Sequence, residues 1–155
     1  MKRYPLSLDL LKKIRDEGLK GPLPTGVKDH HVVVGRLPGW LLAVLQCADY
    51  ELVTSIAVLE KMMFDHALSV DKLQHLHTLI CSPLEIYRSS SHPDNSVVVI
   101  SIAVQGGKPV VFPIWLERQG ATGKPAMHWI SSGYAKDQPA MLAAWEAEGL
   151  RIWKL

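Results

Sequence analysis

The stretch around Gly106-Gly107 limits the fold more than any other part of the chain. Two runs rich in valine and isoleucine, residues 96–105 and 108–116, flank this glycine pair. β-branched residues pack well on a pleated surface, and two glycines accept the positive φ of a tight turn, so the segment predicts a β-hairpin. Residues 85–89 and 127–134 read as further strands, and residues 150–155 as a closing one. Pro109 and Pro113 fall in the second arm of the hairpin. Proline cannot donate to a ladder, so the two place that arm at a sheet edge or on a bulge.

The first half has a different period. Ser7 is a good N-cap, and Leu8, Leu11 and Ile14 fall on one helical face that Gly18 can stop. Residues 21–26 carry two prolines and two glycines and read as a linker, which makes residues 1–26 an appendage. His31-Val32-Val33-Val34 is a short β-type run ended by Gly35, and residues 50–54 form another. Pro38 opens a helix with Trp40, Leu41, Val44 and Leu45 on its apolar side. Thr54 or Ser55 caps a helix running to about His66, and Ser69 caps one carrying Leu73, Leu76 and Ile80, which Pro83 ends. The predicted class is α+β: N-terminal helices, then a central antiparallel sheet of about four to five strands, with a short helix at residues 140–148 before the last strand. The predicted organisation is a basic helix and linker at 1–30 and a single domain at 31–155.

Composition excludes several classes. With 155 residues, 48% hydrophobic and 21% charged, the chain has the balance of one globular domain rather than of a disordered segment. No apolar run approaches the roughly 20 residues that span a bilayer, and Asp9, Lys12 and Lys13 interrupt the leading leucines, so a cytoplasmic protein is expected. Cys47 and Cys81 form no CxxC pair and read as two small buried hydrophobes. The seven histidines show no zinc spacing, so neither metal nor cofactor is expected. The net charge is only +2, yet residues 1–30 hold seven Lys and Arg against four acids, a bias that fits phosphate attraction or a solvated helix face. The five tryptophans are possible stacking platforms, but with two phenylalanines in the chain they are expected mainly to fill the core.

The order of motifs resembles a known family. Val34-Gly35-Arg36-Leu37-Pro38 is followed by Leu59-Glu60-Lys61-Met62 and Asp65-His66, then by Ile86-Tyr87-Arg88-Ser89. Gly107-Lys108-Pro109-Val110-Val111, Ile130-Ser131-Ser132-Gly133-Tyr134-Ala135-Lys136-Asp137 and Trp145…Gly149-Leu150…Trp153 complete the series. Over residues 31–155 the chain resembles the C-terminal domain of MuF-type phage head proteins. That family is similar to a larger group that includes barnase, EndoU, colicin-type and RelE-type nucleases. The resemblance implies a metal-independent ribonuclease or toxin-like activity of phage or mobile-element origin. Ser131-Ser132-Gly133 departs from the family by standing where a bulkier residue usually precedes the tyrosine.

Metal-free RNA cleavage needs a base for the 2′-hydroxyl proton, an acid for the leaving 5′-oxygen, and cations for the phosphorane. His66, at a helix C-terminus where the dipole favours a cation, is the expected acid/base. Ser132 and Tyr134, two apart on a strand and so on one face, would orient the phosphate, and Lys136 would neutralise it. Arg88, on a neighbouring strand, and His128, on the strand of Ser132, are the expected substrate contacts. RNA is then the partner, alongside an immunity or target protein. The alternative is a nuclease-like domain that no longer cuts and instead binds protein or RNA, for example as an inhibitor of a host defence complex. Phage-head morphogenesis ranks last, because it borrows only from where the family is found.

Overall fold

The glycine pair turns the chain as its composition predicts. Gly106 (φ 58°) and Gly107 (φ 76°) both take positive φ, and Gln105 pairs with Lys108 across them. The computed structural model describes residues 2–18, 29–120, 126–136 and 139–155, with backbone alone at 139 and 140. The linker predicted at 21–26 and Asp137 lie outside the described residues.

Among the described residues, nine strands form one sheet. In chain order they are β1 (Arg3–Pro5), β2 (His31–Arg36), β3 (Glu51–Ser55), β4 (Glu85–Arg88), β5 (Ser96–Gln105), β6 (Lys108–Arg118), β7 (Met127–Ile130), β8 (Tyr134–Ala135) and β9 (Arg151–Lys154). The helices are α1 (Leu8–Gly18), α2 (Gly39–Leu45), α3 (Ile56–Phe64), α4 (Val70–Leu73), α5 (Leu76–Cys81) and α6 (Pro139–Ala147). Across the sheet the order is β1-β2-β3-β7-β6-β5-β4-β9, with β8 beside β6.

The α+β class and the helix before the last strand are as predicted. The sheet is larger than expected because the extended pieces of the first half join the strands of the second. It is also mixed: β1 with β2 and β3 with β7 run parallel, and the other pairs run antiparallel. β2 continues past Gly35 to Arg36 through a bulge, and the helix predicted from Ser69 to Ile80 breaks at Gln74–His75 into α4 and α5. Ser7, Ser55 and Ser69 each accept a backbone N–H three residues on, as N-caps do.

Alternation along the strands divides the sheet into two faces. Val97, Val99, Val110, Phe112, Ile114 and Ile130 belong to one core with Leu41, Leu59, Met62, Leu73 and Leu76 of the helices. On the other face Tyr87, Val98, Ile100 and Val111 meet Leu142 and Trp145 of α6. The leader is part of the larger core, not an appendage. Leu11 and Ile14 are 0% and 2% exposed, and burial of each stabilises the fold by about 1.5–3 kcal/mol.

Two expectations about the hairpin region change. β6 is an interior strand, not an edge, with β5 on one side and β7 and β8 on the other; the other alternative expected there, a bulge, does occur beside Pro109, where the β5–β6 register shifts between Ile100 and Val104. Both prolines fit there because their backbone faces away from β5: Pro109 O accepts from Lys136 N–H (3.1 Å) and Pro113 O from Ser131 N–H (3.1 Å). The missing N–H of each thus points where β7 and β8 are short or interrupted. The strand predicted at 127–134 is broken at Ser131–Gly133 because the chain dips into the core there. A Cβ at Gly133 would lie 2.7 Å from Phe112 Cε1 and 3.2 Å from Met62 Cε, so only glycine allows this approach. No helix among the described residues is long and apolar enough to cross a membrane.

Candidate functional site

At the hairpin end of the sheet, three of the expected residues gather around one aromatic ring. His66 lies two residues beyond α3, and its carbonyl accepts a 3.0 Å bond from Gln105 Nε2, which ties the helix end to the β5–β6 turn. The His66 ring stands 5.5 Å from the Tyr134 ring, tilted by 45°. Tyr134 is positioned by the pairing of β8 with Val111, and Lys136 by its backbone bond to Pro109. Lys136 Nζ lies 5.7 Å from the centroid of the same tyrosine ring. Burial raises the Tyr134 phenol above its ordinary value of 10.0, so at neutral pH it keeps its proton and acts as a donor. A further ammonium is near, since Lys72 Nζ donates to Gln105 Oε1 (3.4 Å).

Ser132, Arg88 and His128 do not join them as expected. Ser132 lies in the break between β7 and β8, so the strand alternation that was to align it with Tyr134 does not hold. Arg88 is not on a neighbouring strand, because β6 and β5 separate β4 from β7 and β8. It pairs with Val97, whereas His66 is tied to Gln105 further along β5. Val97 faces Ile114 and Tyr134 faces Val111, so three strand spacings and about 10 Å of strand rise separate Arg88 from the ring that His66 meets. Arg88 instead donates to Pro93 O (3.3 Å) and lines a cavity of about 170 Å³ with Gln46, Cys47, Asp94, Asn95 and Glu117.

His128 is fully buried, and backbone groups occupy both ring nitrogens. Nδ1 accepts from Glu117 N–H (3.0 Å) and therefore carries no proton, so Nε2–H donates to Ala48 O (2.8 Å). Glu117 Oε1 closes the circuit by accepting from Ala48 N–H (2.8 Å). The imidazole is a clamp, not the substrate contact expected of it. The clamp holds a bulge: Trp115 pairs with Trp129 and Arg118 with Met127, leaving Leu116 and Glu117 opposite His128. Glu117 takes φ 53°, a conformation that costs a residue with a Cβ about 1–2 kcal/mol, and the three bonds of the circuit offset it. The extra residue also returns Arg118 to the face of Trp129, with its guanidinium 4.7 Å from the ring centroid.

Residues 57–154 match the family model described as the phage MuF C-terminal domain. The chain belongs to that family. All six expected site residues of this MuF C-terminal domain fall inside the match, whereas the Val34–Pro38 motif and strands β1 to β3 precede it. No curated protein and no solved structure matches the chain. Among its described residues, no group of three or more His, Cys, Asp or Glu is placed to hold a metal ion. Burial pushes both thiols up to about 11, aided at Cys47 by Glu117 and Asp49, so neither is a ready nucleophile at neutral pH.

Sequence reasoning missed the residues that register alone brings together. Of the five tryptophans, which were expected mainly to fill the core, Trp145 and Trp153 pack against it, while none is fully buried and Trp40 is exposed. Trp115 and Trp129 are register partners, and Arg118 joins their face only because of the bulge. The one local signal was the pair of tryptophans, one on each of two adjacent predicted strands.

Proposed function

We propose that this MuF C-terminal domain is a metal-independent endoribonuclease of the nuclease-like kind, toxin-like in action, whose site is the His66–Tyr134–Lys136 cluster. The observation that carries the reading is the convergence of an imidazole, a protonated phenol and an ammonium on one spot at the sheet end. His66 takes the proton of a 2′-hydroxyl as its oxygen attacks phosphorus. The O2′–P bond forms, the P–O5′ bond breaks, and the leaving 5′-oxygen receives the proton of the Tyr134 hydroxyl. The products are a 2′,3′-cyclic phosphate and a 5′-hydroxyl, and proton return from His66 to Tyr134 resets the pair. Lys136 offsets charge on the phosphorane. Arg88 and His128 have no part in this step.

General acid–base groups typically contribute about 10²–10⁴-fold each. Incubation of the protein with total RNA, with and without EDTA, beside His66→Ala and Tyr134→Phe, tests the reading. The expected result is cleavage that survives EDTA, leaves 2′,3′-cyclic ends and falls at least about 100-fold in His66→Ala. Cleavage by that variant at the parent rate, or none by the parent on any RNA, refutes it.

A second reading, a nuclease-like domain that binds without cutting, draws on one observation. The cluster keeps a single imidazole once His128 is committed to the bulge. Loss of cleavage with retained RNA or protein binding would favour it.

A further inference from the structure

A row of aromatic rings crosses the sheet face that carries Trp129. The His31 ring on β2 stands 5.5 Å from that of Trp129 on β7, bridging over β3, whose Val53 pairs with Trp129. Trp129 is the register partner of Trp115 on β6, and Trp115 stands 4.7 Å from the His92 ring in the loop between β4 and β5. Cations border the row. Arg118 lies over Trp129, and Arg3, the register partner of His31, is 48% exposed while paired with Glu51. Arg118 and His92 are exposed, and the two tryptophans are half-buried. The nearness of Arg3 and Arg118 is felt by His31, whose pKa is lowered first by burial and then by these two charges.

We infer that the His31–Trp129–Trp115–His92 row is a binding face for single-stranded RNA. Its rings stack bases, and Arg3 and Arg118 contact backbone phosphates. Charge decides in favour of a nucleic-acid occupant over an apolar protein surface. Two guanidinium groups, Arg3 and Arg118, border the rings, and Glu51 beside them is already paired with Arg3. A sheet bearing exposed aromatics of this kind stacks about two or three bases, and stacking tolerates any sequence because every base has a π-face. The geometry itself calls only for a strand with unpaired bases. The choice of RNA over DNA rests on the ribonuclease reading.

Along β6 the row lies about 13 Å from Tyr134, since Trp115 is four residues from Val111, the register partner of Tyr134. The strand would therefore be held beside the cluster that cuts it, by residues outside that cluster, so binding and cleavage can be lost separately.

The test is titration of the intact chain with a short 2′-O-methyl oligonucleotide, which lacks the attacking hydroxyl, followed by tryptophan fluorescence at several salt concentrations. Quenching on binding is expected. The slope of log affinity against log salt should be about −1.4 for two phosphate contacts, from about 0.7 per contact on single strands. Trp129→Ala should weaken binding about tenfold, within the range for one lost stacking partner. Arg118→Gln, an exposed change that keeps the fold, should flatten the slope by about 0.7, and His66→Ala should bind as the parent does. Unchanged affinity and slope in Arg118→Gln, or no oligonucleotide binding by the parent, overturns the inference and leaves the row as a protein-contact surface. Oligonucleotide binding as expected without cleavage of RNA would sustain this face while the ribonuclease reading fails. Cleavage with an Arg118→Gln variant that binds normally would do the reverse.

Discussion

Replacing His128 by leucine separates a clamp from a catalyst. Leucine fills most of the buried space but removes both ring nitrogens, so the N–H of Glu117 and the carbonyl of Ala48 lose their partners. Each bond is worth about 0.5–1.5 kcal/mol net, and an orphaned group in a shielded place adds about 1 kcal/mol or more. The bonds are only partly shielded, and Ala48 itself is exposed, so water can replace some of what is lost. The expected cost is therefore about 2–3 kcal/mol. For a chain of this length that lowers Tm by roughly 5–10 °C. His66→Leu is the control. That ring is half-buried and meets one aromatic neighbour, so its loss should cost less than about 1 kcal/mol. Urea unfolding followed by tryptophan emission, with thermal melts alongside, measures both. If His128→Leu is as stable as the parent, the clamp does not support the bulge, and the account of Arg118 over Trp129 fails with it.

The thiols and the pH response give two further expectations. With pKa values near 11, Cys47 and Cys81 should react with iodoacetamide at pH 8 about a hundredfold more slowly in the folded protein than in urea, where the thiol titrates near 9.0; equal rates would contradict the burial. His31 binds its proton near 6.5 when unfolded but only at lower pH when folded, so its share of stability is complete above pH 6.5 and is lost as pH falls through the folded value. Urea midpoints at about pH 5 and pH 7 should differ less in His31→Gln than in the parent, and an identical difference would remove His31 as the cause.

Much of the fold was legible because its signals are local. Serine caps, glycine pairs and periodic leucines act within a few residues, so Ser55, Ser69 and Gly106-Gly107 read correctly one by one. The partners of short strands are not local. Nothing in Arg3–Pro5 marks it as a strand until His31–Arg36 lies beside it, and nothing in Pro109 or Pro113 says which side of β6 lacks donors. The candidate site divides the same way. His66, Tyr134 and Lys136 were assigned from the order of motifs, and the pairing of β8 with β6 brings them together. Arg88 and His128 were assigned by strand adjacency, and the insertion of β6 and β5, together with a single bulge, moved both.

The β3–β7 pairing carries a consequence in time. Among the described residues it alone joins the three-stranded flank formed by β1 to β3 to the rest of the sheet, and Thr54 Oγ1 seals it with a buried bond to Ile130 O, 76 positions along the chain. Hairpins such as β5–β6 close short loops and assemble early, whereas a parallel seam must wait for a long loop to shut. The meander of β4, β5 and β6 thus acts as a template on which the leading third of the molecule is mounted last.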